Sequence, residues 1–114
     1  MLKCKLAVAI ALLGLSGQTP AQASSAGAGA IHNVLPIQNN GPVLFNQDGT
    51  RSTPPACSTI PGRWAIDAST PGGQAKLAVL LTAYAQGRQI TVYGTGICDV
   101  WVDTETVLYI QTIE

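Results

Sequence analysis

Charged side chains are scarce in this sequence. Only 11% of its 114 residues are Asp, Glu, Lys or Arg, where about a quarter is usual for a soluble protein. A nucleic-acid binder needs a basic stripe that neutralises phosphates, and a peripheral membrane protein needs a polybasic segment. The six basic and six acidic residues provide neither. We therefore expect no nucleic-acid partner. The low charge is also typical of a chain that buries surface in an oligomer, or of one with a Ser, Thr, Gln and Gly surface.

Residues that commonly carry catalysis are also few. His32 is the only histidine, and the sequence has three cysteines. No histidine lies near Ser58 or Ser69 in the sequence to act as a base, and two thiolates do not fill a tetrahedral zinc site. We expect a protein that is not an enzyme and that holds no cofactor or metal, with His32 on the surface.

The first 23 residues have the three parts of a secretory signal peptide. Lys3 and Lys5 give a basic start, residues 6–15 are almost wholly apolar, and Ala21-Gln22-Ala23 is a small-residue cleavage site. The apolar run is too short to span a bilayer. We predict cleavage after Ala23, with Ser24 as the first mature residue and no transmembrane segment in the mature protein. The alternative is a retained N-terminal helix.

Export determines how the cysteines are interpreted. Cys4 would leave with the signal peptide, which leaves Cys57 and Cys98 in an oxidising compartment, either the periplasm or the medium. An even number of cysteines there predicts a disulfide. Closing a loop of this length would stabilise the domain by roughly 4 kcal/mol. A reactive thiol pair is the alternative, but the spacing is not CxxC.

The remaining chain predicts one small domain that is mainly β with one helix. Residues 24–30 are Ser, Ala and Gly only, and we expect a flexible tail there. The domain then covers residues 31–114. Strands are predicted at 31–37, 43–47, 63–67, 90–93 and 105–113, with a helix at about 71–86. The order β-β-β-α-β-β is that of a five-stranded Greek-key barrel of the OB type.

The predicted helix has clear ends and an apolar stripe. Thr70 is a suitable N-cap, Pro71 suits the first turn, and Gly87 suits the C-terminus. The stripe expected to face the sheet is Leu77, Leu80, Leu81 and Tyr84.

The other side of this helix is only weakly polar. It includes Lys76, Val79 and Ala83, which we predict to form a self-association surface. The alternative is that alanine is simply a good helix former.

A loop after the second cysteine is the candidate ligand site. OB domains bind sugars or oligonucleotides on a barrel face and on the loops between strands one and two and strands four and five, here residues 38–42 and 99–104. Trp101 offers a flat apolar ring, while Asp99 and Asp103 offer acceptors for hydroxyl groups. Alternatively, Trp101 covers the disulfide or the barrel end. With Glu105, the two aspartates also resemble a catalytic carboxylate pair or a calcium site, but exposed loop acids are far commoner.

Several segments resemble a group of small exported bacterial proteins. They are Cys57, Arg63-Trp64-Ala65-Ile66-Asp67, Gly73-Gln74-Ala75, Leu80-Leu81-Thr82-Ala83-Tyr84-Ala85, Gly94-Thr95-Gly96, Cys98 and Asp103-Thr104-Glu105-Thr106-Val107. This group is similar in fold to the B subunits of subtilase cytotoxin, which place a disulfide-tied OB domain after a signal peptide. The resemblance implies a homopentameric ring whose helices line the centre, and glycan binding on the side of the barrel. It does not extend to the toxin's sugar-binding segment.

Two functions follow as expectations. The first is an exported, non-enzymatic binding protein similar to a toxin B subunit, which self-associates and binds a carbohydrate or another surface ligand. The second is a structural or inhibitory envelope protein that binds another protein.

Overall fold

The computed structural model describes residues 22–114, which form six β-strands and one helix. The strands are β1 (Ser25–Gly29), β2 (Ile31–Pro36), β3 (Pro42–Gln47), β4 (Arg63–Asp67), β5 (Ile90–Gly94) and β6 (Val107–Thr112). The helix α1 (Pro71–Ala85) lies between β4 and β5 in the chain. The expected mainly β class with one helix is confirmed. The predicted signal peptide lies outside the described residues, apart from its last two positions.

The strands form two antiparallel sheets of three strands each. One has the order β1-β5-β6 and the other the order β2-β3-β4. Residues 22–114 therefore do not form the closed five-stranded barrel that the sequence predicted. Contact between the sheets includes one parallel bridge, Ala65 to Thr106, where the Ala65 amide donates to the Glu105 carbonyl at 3.1 Å.

Strand β1 occupies the segment that was predicted to be a flexible tail, and that prediction is wrong. Ser25 and Ala26 pair with Tyr93 and Val92 of β5. The small residues allow close backbone approach, since a Cβ on Gly29 would lie 2.2 Å from the Gly49 amide nitrogen. Composition alone suggested flexibility, whereas these small side chains serve packing.

Gln47 joins the two sheets at the end of β3. Its side-chain amide donates to the carbonyls of Gly27 in β1 and Ile90 in β5, at 2.6 and 2.8 Å, and its carbonyl accepts from the Gly49 amide at 2.9 Å. The residue is buried. A buried amide with all these bonds satisfied fixes how β3 meets the other sheet.

The core lies between the two sheets and under α1, which packs against β4 and β6. Its buried members are Ala26, Ile31, Phe45, Trp64, Ile66, Leu80, Ala83, Ile90, Val92 and Val107. Alternate residues of β5, Ile90 and Val92, point inward, which leaves Thr91 and Tyr93 on the outer face.

Strand β2 contains an irregularity that the sequence pattern did not reveal. Asn33 has a φ of 49°, and the pairing with β3 shifts between His32 and Leu35. Val34 consequently packs against the core, while Leu35 is exposed. Strict alternation would place Leu35 on the same side as Ile31, but the two sides are exchanged beyond Asn33, as expected for a bulge.

The helix begins where predicted and ends one residue earlier than predicted. Thr70 is the N-cap and its hydroxyl oxygen accepts from the Gly73 amide at 3.0 Å; Gly87, with φ 64°, follows the last turn. The buried side differs from the predicted stripe. Leu80 is buried and Leu77 packs at the edge of the core, but Leu81 and Tyr84 are 44% and 49% exposed.

Cys57 and Cys98 are disulfide-bonded, with their Cα atoms 6.1 Å apart, as the sequence predicts. The bond links the irregular segment before β4 to the loop that follows β5. Within the described residues, no helix is both long and apolar enough to cross a membrane.

Candidate functional site

The predicted ligand loop, residues 99–104, is held firmly against the segment before β4. Asp103 accepts hydrogen bonds from the Arg63 guanidinium and, at 3.0 Å, from the Thr104 hydroxyl, and its carbonyl accepts from the Thr59 amide at 3.1 Å. Desolvation raises the pKa of Asp103, but these hydrogen bonds and the Arg63 charge outweigh it, so the pKa lies below its ordinary value. Asp103 is therefore a carboxylate near neutral pH.

Asp99 and Trp101 are less enclosed. Asp99 is exposed and accepts a hydrogen bond from the Thr106 hydroxyl, while Trp101 is half-buried and bridges to Thr104 across a tight turn. Both predicted carboxylates thus have one oxygen engaged by a neighbour. The loop offers a fixed edge of acceptors rather than an enclosed cavity.

An aromatic pair on the outer face of the β1-β5-β6 sheet was not identified from the sequence. Tyr93 of β5 and Tyr109 of β6 are directly opposite each other in the pairing register. Their rings are stacked, with centroids 4.3 Å apart and planes inclined by 16°. Tyr109 is 47% exposed and β6 is an edge strand, so the pair is open to solvent.

Polar residues continue the same face beside the tyrosines. Thr91 and Gln111 are the next pair on this face, two positions along the register from the tyrosines. Both line a shallow concavity of about 590 Å³ at the end of the sheet, which is completed by Thr112, Ile113 and Glu114. The alternation of β5 was a usable signal, because inward Ile90 and Val92 require Tyr93 to point outward. A bulge at Leu108 shifts the alternation of β6, so the sequence alone did not indicate that Tyr109 lies opposite Tyr93.

The three residues predicted for self-association do not share one environment. Ala83 is 1% exposed and belongs to the core, so it has almost no surface to offer another chain. Lys76 is half-buried and its ammonium lies 3.5 Å from the Val107 carbonyl. Val79 is exposed. The exposed large apolar residues of α1 are Val79, Leu81 and Tyr84.

Glu105 is the largest departure from the sequence interpretation, which placed it among exposed loop acids. It is fully buried. One carboxylate oxygen accepts from Arg51 at 2.8 Å and from the Ser24 hydroxyl, and the other accepts from the amides of Ser24 and Gly96 at 3.0 and 2.9 Å. Four donors therefore satisfy a carboxylate that no solvent reaches.

Arg51 gives this carboxylate its counter-charge. Its guanidinium carbon lies 3.9 Å from the centre of the Trp64 ring. Nη1 donates to the Arg63 carbonyl, and Nη2, which also binds Glu105, donates to the Ser58 hydroxyl, each at 3.3 Å. The guanidinium is spread over several acceptors and one aromatic face. A paired and hydrogen-bonded carboxylate of this kind is structural, since a buried charge is tolerated only with such partners.

His32 is exposed, as predicted, and its Nε2 lies 3.1 Å from a carboxylate oxygen of Asp48. This hydrogen bond is the main reason that the pKa of Asp48 lies below its ordinary value. Between residues 22 and 114, no three His, Cys, Asp or Glu side chains are grouped so as to hold a metal ion.

Comparison of the chain with protein-family models, with curated proteins and with solved structures finds no match.

Proposed function

We propose that this protein is an exported, non-enzymatic binding domain that takes a carbohydrate on the outer face of its β1-β5-β6 sheet. The observation that carries the proposal is the open, stacked pair of Tyr93 and Tyr109. Aromatic faces pack against the C–H faces of sugar rings, and neighbouring amides and hydroxyls bind sugar hydroxyl groups. Gln111 and Thr91 lie beside the pair and supply those polar groups.

The path of the chain favours an OB-type arrangement of the two sheets. Strands β1 and β2 are separated only by Ala30, yet each belongs to a different sheet, and the parallel bridge at Ala65 joins the sheets again. In this proposal the sheets are the two sides of an open barrel. Oligosaccharide binding is one recurring use of such a domain.

The loop of Asp99, Trp101 and Asp103 is proposed as a second, polar contact for the same class of ligand. Its support is its rigidity, because the disulfide, Arg63 and Thr59 hold it in one shape. A preorganised loop loses little entropy on binding.

A glycan array with the mature protein tests the ligand class. We expect Tyr109→Ala to weaken binding to any captured glycan by at least about tenfold, since truncating a central aromatic anchor commonly costs 2 kcal/mol or more. Leu35→Ala is the control, because Leu35 is similarly exposed, at 44%, but lies on β2 in the other sheet. Equal binding by the Tyr109 variant, or no glycan bound by the wild type, would contradict the proposal. Loss with Trp101→Ala alone would place the ligand on the loop.

The second candidate function is that of an envelope protein that binds another protein chain, including its own copies. Val79, Leu81 and Tyr84 support it, because they expose apolar surface on α1 in a chain with little charge. The resemblance to toxin B subunits suggests a pentamer, which light scattering of the mature protein at tens of micromolar would detect.

A substitution tests whether α1 forms that contact. We expect Val79→Glu to shift the measured mass toward the monomer, because an unpaired charge in an apolar interface is strongly unfavourable. Val102→Glu is the control: Val102 is also exposed but lies in the 99–104 loop. A wild-type monomer would remove the self-association proposal, and an unchanged oligomer in the Val79 variant would move the interface away from α1.

A further inference from the structure

The buried carboxylate of Glu105 and the predicted end of the signal peptide meet at one residue, Ser24. We propose that cleavage after Ala23 creates an α-ammonium group on Ser24 that forms an internal ion pair with Glu105, so that removal of residues 1–23 strengthens the folded state. The inference rests on the cleavage site in the proposed export. It does not depend on which ligand the domain binds.

The geometry for this pair is already present. The Ser24 backbone nitrogen lies 3.0 Å from one Glu105 carboxylate oxygen, and the Ser24 hydroxyl donates to the other. Ser24 is 3% exposed and Glu105 is fully buried. The nitrogen that cleavage would turn into a terminal amine is therefore already in contact with a buried anion.

The position of Ser24 is fixed by bonds of its own carbonyl and of the residue that follows it, and cleavage before Ser24 leaves these bonds intact. The Ser24 carbonyl accepts from the Gly94 amide at 2.8 Å, and the next residue, Ser25, pairs with Tyr93 and bonds Ser52 through both its amide and its carbonyl. Losing the preceding residues leaves these bonds in place. The new amine is therefore held beside Glu105 and does not need to be ordered afterwards.

Removal of residues 22 and 23 opens space for the ammonium group of Ser24, which is larger than the amide N–H that it replaces. Ala23 is exposed, and its backbone nitrogen lies so close to Gly96 that a Cβ on that glycine would be 2.9 Å away. When Ala23 departs, this space opens next to the amine. The ammonium carries three N–H groups in place of the single amide N–H.

The charges also fit. Arg51 binds one carboxylate oxygen while the Ser24 nitrogen binds the other, so each cation would have its own carboxylate oxygen. The Ser24 hydroxyl lies between them, because it accepts from Arg51 Nε at 3.0 Å and donates to Glu105. An α-amino group ordinarily titrates at about 7.7–8.0 and is mostly charged at pH 7. Charge-assisted hydrogen bonds are roughly twice as strong as neutral ones, and the Glu105 carboxylate is fully buried.

The test compares two proteins that differ only at the α-amino group. One begins at Ser24 after removal of a fusion partner by a protease that leaves no extra residue; the other is the same chain carrying an N-acetyl group, which reproduces the Ala23 carbonyl. We expect the free amine to raise Tm at pH 7 by at least about 4 °C, the shift that 1 kcal/mol gives in a domain of this size. Equal Tm values would overturn the ion pair.

A second background separates charge pairing from other effects of the acetyl group. In Glu105→Gln the gain from the free amine should shrink to near zero. If that variant does not fold, the wild-type pair is measured again at pH 10, where the amine is neutral and the difference should vanish. The proposal would be contradicted if the Tm difference between the free and acetylated proteins persists in Glu105→Gln, or if it is unchanged at pH 10.

Failure of the cleavage site is distinguishable from failure of the ion pair. N-terminal sequencing of the exported protein reports the first residue directly. A mature chain beginning elsewhere would contradict the processing step, while a chain beginning at Ser24 with no effect of acetylation would contradict only the ion pair.

Discussion

Two buried polar side chains, Gln47 and Glu105, and the half-buried Arg51 determine how the two sheets of this molecule meet. Each bonds to elements that are distant in the sequence: Gln47 reaches β1 and β5, while Glu105 binds donors from Ser24 and Gly96. Apolar packing is not directional, so it does not by itself specify the angle between two sheets. The polar residues supply that direction, because each is satisfied in only one arrangement.

Gln47 provides a prediction at this scale. Gln47→Leu removes both the donors to Gly27 and Ile90 and the acceptor for Gly49, and leaves buried backbone groups unpaired. We expect the free energy of unfolding to fall by about 2–4 kcal/mol. Urea denaturation measures this value, and Gln89→Leu, at an exposed position, should change it by no more than about 0.5 kcal/mol. A similarly small effect at Gln47 would show that its bonds do not stabilise the sheet junction.

At the scale of the elements, local sequence signals predicted where helices and strands begin and end better than which of their faces is buried. The cap at Thr70, the stop at Gly87 and the strand at β4 depend on neighbouring residues only, and all three are confirmed. The faces depend on bulges. The bulge at Asn33 exchanged the two sides of β2, and the one at Leu108 placed Tyr109 beside Tyr93.

The helix and the first strand show a second limit of sequence reasoning. Which side of α1 is buried depends on where the sheets lie. Leu80 and Ala83 face them, whereas Leu81 and the larger Tyr84 stay exposed. Strand β1 has almost no side chains to pattern, and its signal is the absence of Cβ atoms where Gly29 passes Gly49. The periodicity of apolar residues does not predict such contacts between residues that are distant in the sequence.

For the whole molecule, prediction of the candidate site had the same limit, because contacts between residues distant in the sequence leave no local pattern. The Trp101 loop, as a ligand contact, stays a prediction. The sequence predicted the cysteine pair, which residue type marks and the structure confirms as a disulfide. It missed the tyrosine pair and the buried state of Glu105, since both arise from partners that are distant in the sequence. A domain of about 90 residues has a limited core, so its cross-links between distant segments contribute a large share of its stability.

The disulfide is the covalent member of those cross-links, and it allows the last prediction. Cys57 and Cys98 are 41 residues apart, and opening that loop should lower the free energy of unfolding by roughly 4 kcal/mol. Denaturant unfolding of a Cys57→Ala, Cys98→Ala double variant measures the loss, and reduced wild type is the matched comparison. The bond also anchors the 99–104 loop, so any glycan contact made by Trp101 should weaken in the double variant. Glycan contacts made by Tyr109 of β6 should persist. Unfolding at the wild-type denaturant concentration would mean that the loop closure adds nothing to the noncovalent contacts of Glu105 and Gln47.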